Sequence, residues 1–461
     1  MNERDVPSSF RDPSGAVFSR DGELYRRVNI AYRDHYDHLV NSGLYDALVN
    51  ADLLVPHREV DLEVAAADEV YRTIKPEPIG FISYPYEWCF SQLQDAALAT
   101  LKIQELALQH GMCLKDASTY NIQFRKGKPI LIDTLSFEKY EPGRPWVAYR
   151  QFCQHFLAPL ALMACTDVRL SQLLRIYIDG VPLDLASALL PWRTRLSPLL
   201  SVHLHVHARM QSRFGDKAID ATRRGLSPAG MRGLVDALRT STRRLTWKPE
   251  GTVWADYYED TSYAADASED KRRLISEFVE AAAPRTVWDL GANVGLYSRI
   301  ASDKGVPTVA FDMDPAAVER NYLQCRRSEE TNLLPLVLDL TNPSSGIGWA
   351  NEERLSLAAR GPADLVLALA LVHHLAIANN VPFAMMARFF HAITRWLVIE
   401  FVPKDDPQVQ RLLRSREDVF ADYDQGAFER EFAEHFTINS CQPIAASPRT
   451  LYLMRRREGS A

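Results

Sequence analysis

The chain has 461 residues, is 47% hydrophobic and 24% charged, and carries a formal net charge of −6. That balance suits a globular protein of two or three domains at about 100–200 residues each, and excludes a disordered or collagen-like chain. It makes nucleic acid an unfavoured partner. No apolar run reaches the ~18 residues of a membrane span, and Met1–Asp12 is polar, without the apolar core of a signal peptide. The six cysteines are scattered with no CxxC pair, so reduced thiols in a cytoplasmic protein are expected.

In chain order, Asp21-Gly22 between Ala16-Val17-Phe18 and Glu23-Leu24-Tyr25 predicts a hairpin. The cluster Ser83 to Trp88 is dense in aromatics; it is either an acceptor-pocket wall or interdomain packing. Residues 91–110 have helical spacing at Leu93, Ala97, Leu101 and Leu108, with Gly111 as the stop. A second hairpin is expected where Asn121–Phe124 and Pro129–Asp133 flank Lys126-Gly127-Lys128. Residues 150–240 read as helical, broken at Pro182, Pro191, Pro198 and Pro228. His203, His205 and His207 alternate, but no carboxylate or cysteine lies at useful spacing, so no metal site is expected.

The basic stretch Arg239–Lys248 marks a boundary, placed between residues 245 and 246. Beyond it, helices and apolar strands alternate: helix 268–282, strand 286–290, helix 294–304, strand 307–312, helix 315–327, strand 335–339, strand 364–370, helix 381–394 and strand 396–401. This predicts an α/β fold with a parallel, doubly wound sheet. Phe436–Ile438 and Thr450–Met454 would close it with an antiparallel strand.

In such a sheet, ligands bind at the carboxyl ends of the strands. The first strand ends at Asp289-Leu290, followed by Gly291 for a sharp turn and Gly295 for close helix packing. Asn293 tolerates left-handed geometry better than other non-glycine residues. The second strand ends at Asp312, roughly 20 positions beyond the loop, where an acid can accept from ribose hydroxyls; the third ends at Asp339. Asp289, Gly291, Asn293 and Gly295 resemble the first motif of class I S-adenosylmethionine-dependent methyltransferases, with Asn293 in place of the middle glycine. That resemblance implies a Rossmann-like methyltransferase domain over 246–461 and S-adenosyl-L-methionine as cofactor. It implies Asp289 under the methionine part, Asp312 on the ribose and Asp339 at the adenine. An NAD-dependent dehydrogenase or a bare Rossmann domain is the alternative.

The fourth strand runs into His373-His374, and the fifth ends at Glu400. Both are candidate catalytic positions, with a histidine as general base on an acceptor. At most one histidine is expected to face the cofactor; the alternative is that one caps the strand end and the other packs under the loop. Glu400 is either a base or an ion-pair partner of Lys404 or Arg416, and Tyr257, Tyr258 and Tyr263 are a candidate lid.

In the first half, Asp116 is followed by Asn121 and, after the hairpin, by Asp133. This spacing resembles the catalytic and metal loops of protein-kinase-like folds. The resemblance implies Asp116 as catalytic Asp, with Asn121 and Asp133 as magnesium ligands if the domain is active. Thr134-Leu135 stands where Phe-Gly is usual, and residues 1–75 hold no phosphate-binding glycine loop. Residues 1–245 are therefore expected to form an α+β, helix-rich, kinase-like domain without catalysis, or a substrate-recognition domain. The whole chain resembles a bacterial group of methyltransferases related to nodulation protein NoeA.

The expected activity is methyl transfer to an oxygen or nitrogen of a small molecule or saccharide. The alternatives are a bifunctional kinase–methyltransferase and a pseudokinase-type binding protein with a cofactor-binding domain.

Overall fold

The computed structural model describes residues 3–62, 67–209, 226–249, 265–414 and 417–458. The chain divides into two compact units, Met1–Lys248 with Gly346–Arg354, and Pro249–Ser345 with Leu355–Ala461. The short segment 346–354 was not anticipated; it leaves the second unit's chain between two of its strands and belongs to the first.

The N-terminal unit carries a five-stranded antiparallel sheet of β1 (Glu3–Asp5), β2 (Val17–Arg20), β3 (Glu23–Asn29), β4 (His57–Val60) and β5 (Val70–Pro76), in the order β1-β2-β3-β5-β4. Asp21 and Gly22, at φ 53° and 83°, form the two-residue turn between β2 and β3. Two left-handed residues match the twist of the flanking strands, which is why Asp-Gly signals a hairpin. A long helix, Phe90–Gln109, follows. Its first turn is capped by Gln92, whose Oε1 accepts from the Cys89 amide at 3.0 Å, and Gly111 at φ 70° ends it. Next come β6 (Met112–Leu114), the hairpin β7 (Ile122–Arg125) and β8 (Lys128–Leu131), and β9 (Phe137–Lys139), which pairs with β6. Lys126 and Gly127, at φ 50° and 74°, make the β7–β8 turn. The segment from Tyr149 to Val206 is a series of short helices and helical turns.

The Ser83–Trp88 cluster is closed within this unit. Trp88 Nε1 donates to Ser83 Oγ at 2.9 Å, Gln123 Nε2 donates to the Ser83 carbonyl at 2.9 Å, and Glu87 accepts from the Tyr84 amide at 2.9 Å. Ser83, Tyr84, Tyr86, Glu87 and Trp88 are all buried.

The C-terminal unit holds a seven-stranded sheet: β10 (Val287–Leu290), β11 (Thr308–Asp312), β12 (Leu333–Val337), β13 (Ala363–Ala368), β14 (Thr394–Phe401), β15 (Phe436–Pro443) and β16 (Thr450–Arg456). The order is β12-β11-β10-β13-β14-β16-β15. The first five strands are parallel, and β16 runs antiparallel to both its neighbours. Strand order reverses between β10 and β13, the switch point at which such sheets bind ligands.

The helix Ala265–Ala282 covers one face. Leu274, Ile275, Phe278 and Val279 recur on one side and pack on Val287, Leu365, Leu367 and Val398. Each such side chain contributes about 1.5–3 kcal/mol on burial. The helix expected over 294–304 is shorter, Arg299–Ser302. The preceding residues are taken up by the loop, in which Gly291, Asn293 and Gly295 all have positive φ (83°, 50° and 77°).

Candidate active site

A cavity of about 330 Å³ opens at the carboxyl ends of β10 to β13, a size that takes a cofactor-like molecule. Asp289, Gly291, Asn293, Asp312, Asp339 and His374 all border it, so residues spread over 86 positions of sequence meet on one wall system. Gly295 lies behind the loop. Gly295 is at φ 77°, which favours glycine, and a Cβ there would fall 2.5 Å from Asn321 Nδ2 and 2.8 Å from Arg299 Nη1, so a larger residue would displace those side chains.

The carboxylates are held by the backbone. Asp312 accepts from the Asn293 amide at 2.7 Å and from the Asp314 amide at 2.9 Å. Asp289 is 1% exposed and accepts from Ser298 Oγ at 2.6 Å. Burial pushes the Asp289 carboxyl up to about 7 and Asp312 up to about 6, because the charged form has lost water; the Ser298 hydroxyl and the Lys271 charge offset this only in part at Asp289, and backbone amides only in part at Asp312. Asp339, partly exposed, accepts from the amide and the hydroxyl of Thr341 at 2.8 and 2.7 Å.

The adjacent histidines divide. His374 borders the cavity; His373 is fully buried behind it, and its ring centroid lies 4.1 Å from that of His374. Burial, helped by the Arg449 charge, lowers His374 to about 4, so its imidazole is neutral at physiological pH. Among the described residues neither nitrogen of His373 has a hydrogen-bond partner.

Glu400 is also fully buried and does not border the cavity. Its Oε2 accepts from Lys271 Nζ at 2.6 Å and from the Ala370 amide at 2.8 Å, and Arg449 Nη1 lies 3.4 Å from Oε1. This corrects the expectation of a direct catalytic role for His373 and Glu400, since both are fully buried and neither borders the cavity. It also corrects the expected ion pair: Lys404 pairs with Asp418 at 2.9 Å instead. Arg416, Tyr257, Tyr258 and Tyr263 lie outside the described residues.

Lys271, Arg449 and Tyr297 border the cavity without having been expected there. Lys271 had a sequence signal, since it stands on the apolar stripe of its helix, three positions before Leu274. A lysine on a buried stripe asks for a partner. Arg449 had none.

The three kinase-like residues of the N-terminal unit are engaged locally. Asp116 Oδ1 accepts from the Ser118 amide at 2.9 Å and from Gln151 Nε2 at 2.7 Å. Asn121 Nδ2 donates to Ser136 Oγ at 3.3 Å. Asp133 Oδ1 pairs with Arg26 Nη1 at 2.6 Å and accepts from the Leu135 amide at 2.8 Å. Arg26 also reaches Asp12 at 3.1 Å. Among the described residues no group of three or more His, Cys, Asp or Glu could hold a metal. His203 bonds Tyr149, His205 bonds Ser187 and Thr194, and His207 stacks on Tyr149.

No protein-family model matches the chain. Nodulation protein NoeA of Rhizobium meliloti (strain 1021) is 36% identical over 467 residues, covering 98% of this chain and 96% of that protein. The chain belongs to the NoeA family. Among solved structures, magnesium protoporphyrin IX methyltransferase from Synechocystis PCC 6803 with bound SAH is 14% identical, with a TM-score of 0.32, over 44% of this chain and 93% of that one. The bifunctional kinase-methyltransferase WbdD is 16% identical, with a TM-score of 0.30, over 46% of this chain and 44% of that one. At such scores these likenesses carry no argument about chemistry. The NoeA-family chain has no helix among its described residues long and apolar enough to cross a membrane.

Proposed function

We propose that this NoeA-family protein transfers a methyl group from S-adenosylmethionine to an oxygen or nitrogen of a small molecule or saccharide, and that it works in the cytoplasm. The observation that carries the reading is the convergence of Asp289, Asn293, Asp312, Asp339 and His374 on one cavity at the sheet's switch point. The donor set fits the cofactor. Two buried carboxylates, both raised by desolvation, suit a ligand bearing a sulfonium and an ammonium. Asp289 would face the methionine part, Asp312 the ribose hydroxyls and Asp339 the adenine.

The cofactor supplies an electrophilic methyl on a neutral leaving group. The protein then has to align the acceptor and, where needed, remove its proton. The neutral His374 imidazole on the cavity wall is the group placed to take that proton. Asp289 and Asp312 hold the donor, while Leu371 and Leu375 keep the site apolar.

Calorimetric titration of the full-length protein with S-adenosylmethionine tests the reading. Binding by the parent, lost in Asp312→Ala, is expected. Tight NAD binding with none to S-adenosylmethionine would overturn it in favour of a dehydrogenase-like site.

For the N-terminal unit, the Arg26–Asp133 ion pair favours a binding module over a phosphotransferase, because the carboxylate that would hold magnesium already holds a guanidinium. ATP- and magnesium-dependent phosphorylation that disappears in Asp133→Ala would establish the bifunctional alternative.

A further inference from the structure

The strand end that leads into the cavity is strained. Ala370, directly after β13, sits at φ 49°, a left-handed conformation that side chains with a Cβ disfavour. Such a residue persists where its surroundings over-determine it. Ala370, Leu371 and His374 all border the cavity, so the angle at Ala370 sets how this wall is presented.

The group that holds the angle comes from the neighbouring strand. Glu400 Oε2 accepts the Ala370 amide at 2.8 Å and the Lys271 ammonium at 2.6 Å. Its other oxygen faces Arg449 at 3.4 Å. Arg449 is fixed in turn by two bonds to Asp406, at 2.7 and 3.1 Å, and Asp406 caps the next helix by accepting from the Gln408 amide at 2.9 Å. Both cations border the cavity, whereas Glu400 and Asp406 do not. The cluster is thus layered, with positive charge on the wall and the balancing carboxylates behind it.

We infer that Glu400 is a positioning residue: from behind the cavity it locks the Ala370 turn and orients Lys271 and Arg449 on the wall beside His374. This rests on the cavity being the cofactor and acceptor site. Removing the carboxylate charge would leave two buried cations undercompensated, which a buried site tolerates poorly. It would also weaken the acceptor that holds the left-handed peptide.

Two measurements on the full-length protein decide it, with Glu400→Gln chosen because it keeps the side-chain shape. Amide hydrogen exchange across residues 366–375 should be slow in the parent and roughly tenfold faster in Glu400→Gln. Adding Ala370→Gly, which removes the left-handed penalty, should restore most of that protection. S-adenosylhomocysteine affinity by calorimetry should fall roughly tenfold in Glu400→Gln and recover in part in the double variant, because glycine restores the turn but not the charge that faces Lys271 and Arg449. A merely structural glutamate would not be rescued by glycine at position 370. Unchanged exchange in Glu400→Gln, or failure of Ala370→Gly to restore it, overturns the inference. If the parent does not bind S-adenosylhomocysteine, the cofactor reading falls, and the exchange result still decides the role of Glu400.

Discussion

The two units treat their strand-end carboxylates in opposite ways. In the N-terminal unit, Asp133 meets Arg26 and Asp116 meets Gln151, so each carboxylate is satisfied by its own chain. In the C-terminal unit, Asp289 accepts from a hydroxyl and Asp312 from backbone amides, both border a cavity, and burial raises both. A carboxylate with an internal cation is a structural joint. A buried carboxylate with a raised pKa beside an open space is a candidate binding group. The same residue type, at superficially similar positions after a strand, therefore carries different roles.

This contrast can be broken most directly with Arg26→Ala and Asp312→Ala. Arg26→Ala leaves the enclosed Asp133 without its cation and should destabilise the N-terminal unit by about 3 kcal/mol, read from chemical denaturation of the full chain. The affinity for S-adenosylmethionine should stay within about threefold under native conditions. Asp312→Ala should do the reverse, weakening cofactor binding by about 2–3 kcal/mol with a smaller change in the denaturation profile. A large loss of cofactor affinity in Arg26→Ala would show that the two kinds of carboxylate are not separable.

The pH dependence sharpens the same comparison. Asp289 and Asp312 have folded values raised to about 7 and about 6, above the ordinary carboxylate range. The folded state therefore holds more protons than the unfolded one between roughly pH 4 and 7. For the ligand-free C-terminal unit, these groups cost stability when ionised, and that cost fades as pH falls from 8 towards 4. A cationic ligand selects the ionised carboxylates, so its affinity should fall over the upper part of the same window, from pH 8 to 5. Calorimetry in buffers of different ionisation enthalpy should show proton release on binding near pH 6. Affinity that rises on acidification would contradict a cation facing Asp289.

The smallest expected effect lies in the loop. Asn293→Gly relieves a left-handed residue at φ 50° and should raise the thermal midpoint modestly, by the equivalent of ~1 kcal/mol or less. Cofactor affinity should hardly change, because the donor to Asp312 is the backbone amide. Asn293→Val should lower both.

Much of this was legible in the sequence for local reasons. The two hairpins followed from Asp21-Gly22 and Lys126-Gly127, where the turn conformation belongs to two residues. The helix 315–327 was expected with its observed bounds, since Asp314 accepts from the Ala316 amide at 2.8 Å and Pro315 opens the first turn. Asp289, Asp312 and Asp339 could be placed because each follows an apolar strand, and strand ends converge in a parallel sheet. The catalytic side was legible only as a choice. His373 and His374 are neighbours in sequence, and nothing local says which ring turns towards the cavity.

The sequence alone determined the alternation of strands and helices, the glycine loop and the acidic strand ends, because backbone preference and hydrophobic period act over a few residues. Tertiary structure alone decided that Glu400 is met by Lys271, 129 positions earlier, and by Arg449, 49 positions later. It likewise decided that Asp133 is closed by Arg26, and that residues 346–354 belong to the first unit. A charge buried in a folded core takes whichever opposite charge the packing brings within reach, and distance along the chain says nothing about that.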